Sequence, residues 1–215
     1  MKKKRKINKD IAKTASNEPI IFGSPPIGDD EIKEVVASMK SGWLGTGPKV
    51  LTFEKSFGEY KSTNYAVAVS SCTAALHISL VAAGIKPGDE VITTAYTYVA
   101  TVNAIIYSGA TPVLVDVDPK TLNMDPFEVL LKITPKTKAI IPVHIAGRPC
   151  EMDKLMLIAN RYNLIIIEDS AHAIESQYHG VKTGNFGRFG CYSFYVTKNL
   201  TTGEGGMVTC NDKDD

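Results

Sequence analysis

Lys198 closes the stretch CYSFYVTKN, where an apolar run delivers a primary amine to the end of a buried strand. An ammonium is costly to desolvate, so a lysine placed there tends to lose its proton and become a nucleophile toward carbonyl carbon. Twenty-nine residues earlier, the run LIIIED ends another strand on two adjacent carboxylates, Glu168 and Asp169. Earlier still, Ser70-Ser71-Cys72-Thr73 separates a strand from a helix, and the N–H groups at such a helix start bind phosphate. Amine, carboxylate and phosphate cradle together point to pyridoxal phosphate, whose chemistry needs one of each.

The individual roles follow from that chemistry. Lys198 is the expected Schiff-base lysine, and Gly203, Gly205 and Gly206 after it permit close backbone approach. Once displaced by substrate, the same amine would shuttle a proton between the substrate carbon and the coenzyme. Asp169 is the expected partner of the pyridine nitrogen. Glu168 competes for that role, and because adjacent strand residues point to opposite faces only one of the two can serve. Thr73, Ala74 through its backbone amide, and Ser193 are expected on the phosphate; plain N-capping by Ser71 and Thr73 is the alternative. Tyr98, in TTAYTYVAT, could stack on the ring, with Tyr96 two residues away as competitor. His172, three residues past Asp169, could flank the ring edge or be purely structural.

The remaining composition excludes more than it assigns. Of 215 residues, 44% are apolar and 22% charged, which is ordinary globular material. A net charge of +1 gives no bias toward nucleic acid or an anionic membrane. No apolar segment approaches the ~20 residues that span a bilayer. Cys72, Cys150, Cys191 and Cys210 form no CxxC pair, arguing against a zinc site or disulfide framework and fitting a reducing cytoplasm. His77, His144, His172 and His179 show no metal-ligand spacing, so no metal is expected. GWLGTGPK lacks the uninterrupted Gly-Lys-Ser/Thr of a P-loop, because Pro48 intervenes. Residues 1–18, opening MKKKRKINKD, read as a basic flexible arm.

These groups need elements to position them. Helices are expected over 29–41, with Ile32, Val35, Val36 and Met39 on one stripe, and near 51–60, 73–84, 99–108, 125–133 and 151–162. Strand-like runs occupy 65–69, 90–94, 111–117, 139–143, 164–169, 191–195 and 206–210. Because those runs are continuously apolar, both faces of the sheet should be covered. The pattern predicts a three-layer α/β/α domain over 19–215 with a largely parallel, seven-stranded sheet. Ligands of such sheets collect beyond the carboxyl ends of the strands, where Asp169, Lys198 and the 70–73 loop all fall.

From about Pro19 to the last residue, the chain resembles the DegT/StrS group of pyridoxal-phosphate sugar aminotransferases. The segments that carry the resemblance are SGWLGTGPKVLTFEKSF, SSCTAALH, GIKPGDEVITTAYTYVAT, GATPVLVDVD, TKAIIPVHIAG, IIEDSAHA and SFYVTKNLTTGEGG. The resemblance implies the aspartate aminotransferase fold (fold type I). It makes Lys198 the Schiff-base residue, Asp169 the pyridine partner, Thr73, Ala74 and Ser193 the phosphate ligands and Tyr98 the stacking ring. It also implies glutamate as amino donor, a nucleotide-linked ketosugar as acceptor and a homodimer. A lysine rather than histidine at 198 favours amino transfer over the family's dehydrase branch. His172 resembles the type that aminates sugar carbon 4, and SGWLGTGPK resembles the UDP-4-amino-4-deoxy-L-arabinose aminotransferase type. Relatives continue through the rest of the large domain and a small C-terminal domain, including residues that complete the partner's site. The chain thus reads as a C-terminally truncated large domain, with a non-catalytic coenzyme-binding or regulatory homologue as the alternative function.

Overall fold

A computed structural model describes residues 23–215; the arm expected over 1–18 and the onset of order near Pro19 lie outside the described residues. Two helices, α1 (Asp29–Ser41) and α2 (Pro48–Lys61), precede an alternating series. It runs β1 (Tyr65–Val69), α3 (Cys72–Ala82), β2 (Glu90–Thr94), α4 (Val99–Tyr107), β3 (Thr111–Val115), α5 (Pro126–Lys132) and β4 (Thr137–Ile141). Then follow α6 (Met152–Tyr162), β5 (Ile165–Asp169), a small hairpin of β6 (Gln177–Tyr178) and β7 (Val181–Lys182), β8 (Phe189–Ser193) and β9 (Gly206–Cys210).

Seven strands form one sheet in the order β1-β9-β8-β5-β4-β2-β3. Parallel pairing joins β3, β2, β4, β5 and β8, while β9 runs antiparallel to both β8 and β1. The sheet is therefore mostly parallel, as the apolar runs predict. The prediction of two covered faces holds for the interior strands. The border strands β1 and β3 each keep exposed positions, because a border strand has a neighbour on one side only.

Alternation along each strand sorts side chains between two layers. On β5, Ile167 packs under α3 and α4 with Leu76, Leu80 and Ile105. Its neighbour Ile166 packs on the other face with Leu155 and Ile158 of α6 and Val129 of α5. Burying a leucine such as Leu76 or Leu80 completely contributes about 1.5–3 kcal/mol, so α3 is held chiefly by packing. A third cluster packs Phe57 of α2 against Tyr192, Phe194 and Met207.

Further details differ from the sequence reading. The strand carrying Ser193 ends there rather than at 195, because Phe194 leaves the ladder to bond Gly205 and Thr202. Lys198 consequently lies in the loop beyond β8. The α1 stripe of Ile32, Val35, Val36 and Met39 forms on schedule, yet α1 buries no residue among those described.

Candidate active site

At the carboxyl ends of β5 and β8 lies a cavity of about 450 Å3. Thr73, Tyr98, Asp169, His172, Ser193 and Lys198 all border it, so six of the seven residues singled out from sequence converge. Ala74 is not among the bordering residues; its N–H donates to Ser71 Oγ at 3.1 Å. The capping alternative is the one Ser71 takes. The N–H groups of Cys72 and Thr73 precede any carbonyl that could receive them within α3, so they remain the helix-start donors on this side.

Gly206 brings that loop against the sheet. A Cβ added there would stand 2.4 Å from the Ser71 carbonyl carbon, so only glycine lets β9 pass so close beneath the cradle. Gly203, at φ +83°, occupies the left-handed region in the loop that returns from Lys198.

Strand alternation sends the two carboxylates to opposite faces of the sheet. Glu168 shares its face with Ile166, away from the cavity, and is fully buried. It accepts N–H groups of Gly184, Phe186 and Gly187 at 2.7, 2.7 and 2.8 Å, and His144 Nε2 lies 3.0 Å away. His144 Nδ1 accepts the Cys150 N–H at 3.1 Å, which puts the ring proton on Nε2, facing Glu168. Glu168 is a saturated structural acceptor. Asp169 falls on the α3/α4 face, where Thr101 Oγ1 donates to its Oδ2 at 2.8 Å and the Ala171 N–H to its Oδ1 at 3.2 Å. The Cys72 thiol also lies 4.0 Å from Oδ1, so it is Oδ2, with one lone pair taken by Thr101, that keeps acceptor capacity.

Burial shifts ionisable groups that border the cavity. Burial pushes Lys198 below the ordinary lysine value, with the nearby Asp169 and Cys72 opposing. Burial also holds His172 below the usual histidine range, helped by the Lys198 charge and opposed by Asp169. Its Nδ1 accepts the Ala146 N–H at 3.3 Å. Tyr98 is 77% exposed at the start of α4, leaving a ring face for a ligand to cover. Ser193 Oγ accepts the Tyr195 N–H at 3.3 Å and retains its own proton to donate.

Sequence reasoning missed Thr101 and His144. Thr101 is one helical turn past Tyr98, and its role depends on α4 crossing above β5, which no local spacing reveals. Among the described residues, no three His, Cys, Asp or Glu side chains gather as a metal site.

Residues 25–215 match the model of the DegT/DnrJ/EryC1/StrS aminotransferase family. The chain belongs to this family. It is similar to the spore coat polysaccharide biosynthesis protein SpsC of Bacillus subtilis, 48% identical over 92% of this chain and 51% of that protein. GDP-perosamine synthase of Caulobacter vibrioides is 45% identical over 91% of this chain and 53% of the relative. Among solved structures, the PLP form of Spr1654 from Streptococcus pneumoniae superposes with a TM-score of 0.85 at 40% identity, over 90% of this chain and 53% of the other. The fold is therefore that of an aminotransferase of this family. The chain spans about half the length of the curated relatives it matches.

Proposed function

We propose that this chain is the coenzyme-binding part of a pyridoxal-phosphate-dependent sugar aminotransferase. It would move an amino group from glutamate to a nucleotide-linked 4-ketosugar. The observation that carries the reading is one cavity bordered by Lys198, Asp169, Thr73 and Ser193. A similarity to GDP-perosamine synthase supports a nucleotide-linked acceptor, and a histidine at 172 supports carbon 4. The complete enzyme is proposed to work as a cytoplasmic homodimer, with small molecules rather than nucleic acid or membrane as partners.

The residues present fit the coenzyme. A cavity of about 450 Å3 lies within the roughly 300–1,000 Å3 usual for such ligands. The helix start at Cys72 and Thr73 with the hydroxyl of Ser193 would hold the phosphate, Asp169 the pyridine nitrogen, and Tyr98 one face of the ring. When bound, pyridoxal phosphate supplies an aldehyde for amines and a ring that accepts the electron pair released at the substrate carbon.

The protein supplies the rest. Desolvation of Lys198 raises the fraction of neutral, nucleophilic amine at a given pH. Thr101 and the Ala171 N–H fix the Asp169 carboxylate so that it can stabilise positive charge on a ring nitrogen. Once free, Lys198 Nζ would take a proton from one atom of the substrate and return it to another.

The test has two stages. Purified protein mixed with the coenzyme should develop visible absorbance that is absent in Lys198→Ala. Added glutamate should then yield one equivalent of 2-oxoglutarate per coenzyme bound. Folded protein that takes up no coenzyme would refute the reading.

A further inference from the structure

The loop after β4 contains a three-residue 3-10 turn, Ile145–Gly147, whose middle residue Ala146 has φ +49° and ψ +28°. A left-handed conformation at a residue with a Cβ is sparsely populated and persists only where the surroundings impose it. Here they do. The buried Asn123, brought in from the loop between β3 and α5, spends its whole amide on this turn. Its Oδ1 accepts the Ile145 N–H at 3.2 Å, and its Nδ2 donates to the carbonyls of Arg148 and Pro149 at 3.0 and 2.9 Å. From the other side, Ser176 Oγ donates to the Gly147 carbonyl at 2.5 Å. The turn so held donates the Ala146 N–H to His172 Nδ1.

That bond has a chemical consequence. Nδ1 can accept it only while unprotonated, so a neutral His172 must carry its proton on Nε2. The ring borders the cavity, and the charged groups that act on it there are Lys198 and Asp169. We propose that Asn123 and Ser176 are positioning residues which, through the left-handed turn at Ala146, lock His172 into its Nε2–H tautomer and make it a hydrogen-bond donor to an oxygen atom of the cavity's occupant. The inference deepens the aminotransferase reading and rests on it for the identity of that occupant. The lock itself is a property of the chain.

The test is nuclear magnetic resonance of the full chain, free of coenzyme, carrying isotope-labelled histidine. His172→Gln identifies the His172 signals among those of the four histidines. At neutral pH the wild-type ring should show Nδ1 unprotonated and Nε2 protonated as a single tautomer. Asn123→Ala should lose that single-tautomer signature and shift the ring's titration midpoint upward, toward the ordinary histidine value. Ser176→Ala, which removes only the tether on Gly147, should move the same signals in the same direction by less. Should Asn123→Ala fail to fold, Ser176→Ala decides alone. A wild-type ring protonated on Nδ1, or folded variants that keep the wild-type signature, would overturn the proposal. Coenzyme uptake at Lys198, recorded on the same samples, reports separately on the aminotransferase reading.

Discussion

Glu168 and Asp169 are chemically almost identical neighbours with opposite surroundings, and the difference is one step of strand alternation. Glu168 is enclosed by three backbone N–H groups and His144. Replacing it by alanine leaves four donors without an acceptor, two of them fully buried, so Glu168→Ala should cost about 3 kcal/mol or more in urea unfolding. Asp169→Asn should instead fold normally and bind coenzyme. It should slow the glutamate half-reaction on the order of 100-fold, read by single-turnover spectroscopy, because a preorganised charge at the reacting ring is lost. Much of this site is legible in the sequence, since Lys198, Asp169 and Thr73 each sit at or just past the end of an apolar run that reads as a strand. The support of Asp169 by Thr101 and the saturation of Glu168 are not legible. They depend on which elements cross in space, not on spacing along the chain.

At the scale of elements, the interior strands are the most readable, because strands covered on both faces must be apolar on both. The antiparallel course of β9 and the Gln177–Lys182 hairpin are not, since direction and short pairings leave no periodic trace. Gly206 marks a tight backbone joint between elements, where β9 passes under the start of α3. Gly206→Ala forces a Cβ onto backbone and should cost about 1–3 kcal/mol while weakening coenzyme affinity, measured by thermal melts and titration. The end of α2 carries a second consequence of burial. Lys61 is fully buried, donates to the Ile174 carbonyl at 2.8 Å, and is pushed down to about 8 by desolvation, with Glu168 opposing. Between pH 8 and the ordinary lysine value the unfolded chain holds a proton there that the folded chain has released. Raising pH through this window therefore stabilises the fold through Lys61. The buried thiols of Cys72, Cys150 and Cys191, pushed upward by burial, act in the opposite sense. They cancel in a comparison with Lys61→Met: from pH 8 to 10, wild type should gain unfolding free energy relative to that variant.

Across the whole molecule, stability should be graded from the sheet outward. α3 sets Ala75, Leu76, Ser79 and Leu80 into the core, whereas α1 exposes Ile32, Val35, Val36 and Met39. Amides of α1 should exchange with solvent much faster than those of α3, as hydrogen-exchange mass spectrometry would record. The stripe on α1 was visible in the sequence; that it would face outward was not, because periodicity identifies an apolar face without saying what meets it. The fold's purpose lies at the opposite extreme of order, where the best-buried strands end on the cavity. One experiment tests that most directly. Protein incubated with pyridoxal phosphate is fixed with borohydride, digested and mapped by mass spectrometry. The coenzyme mass should sit on the peptide containing Lys198, at one equivalent per chain, and vanish in Lys198→Ala. Label spread over surface lysines, or unchanged labelling in that variant, would contradict the assignment of this cavity.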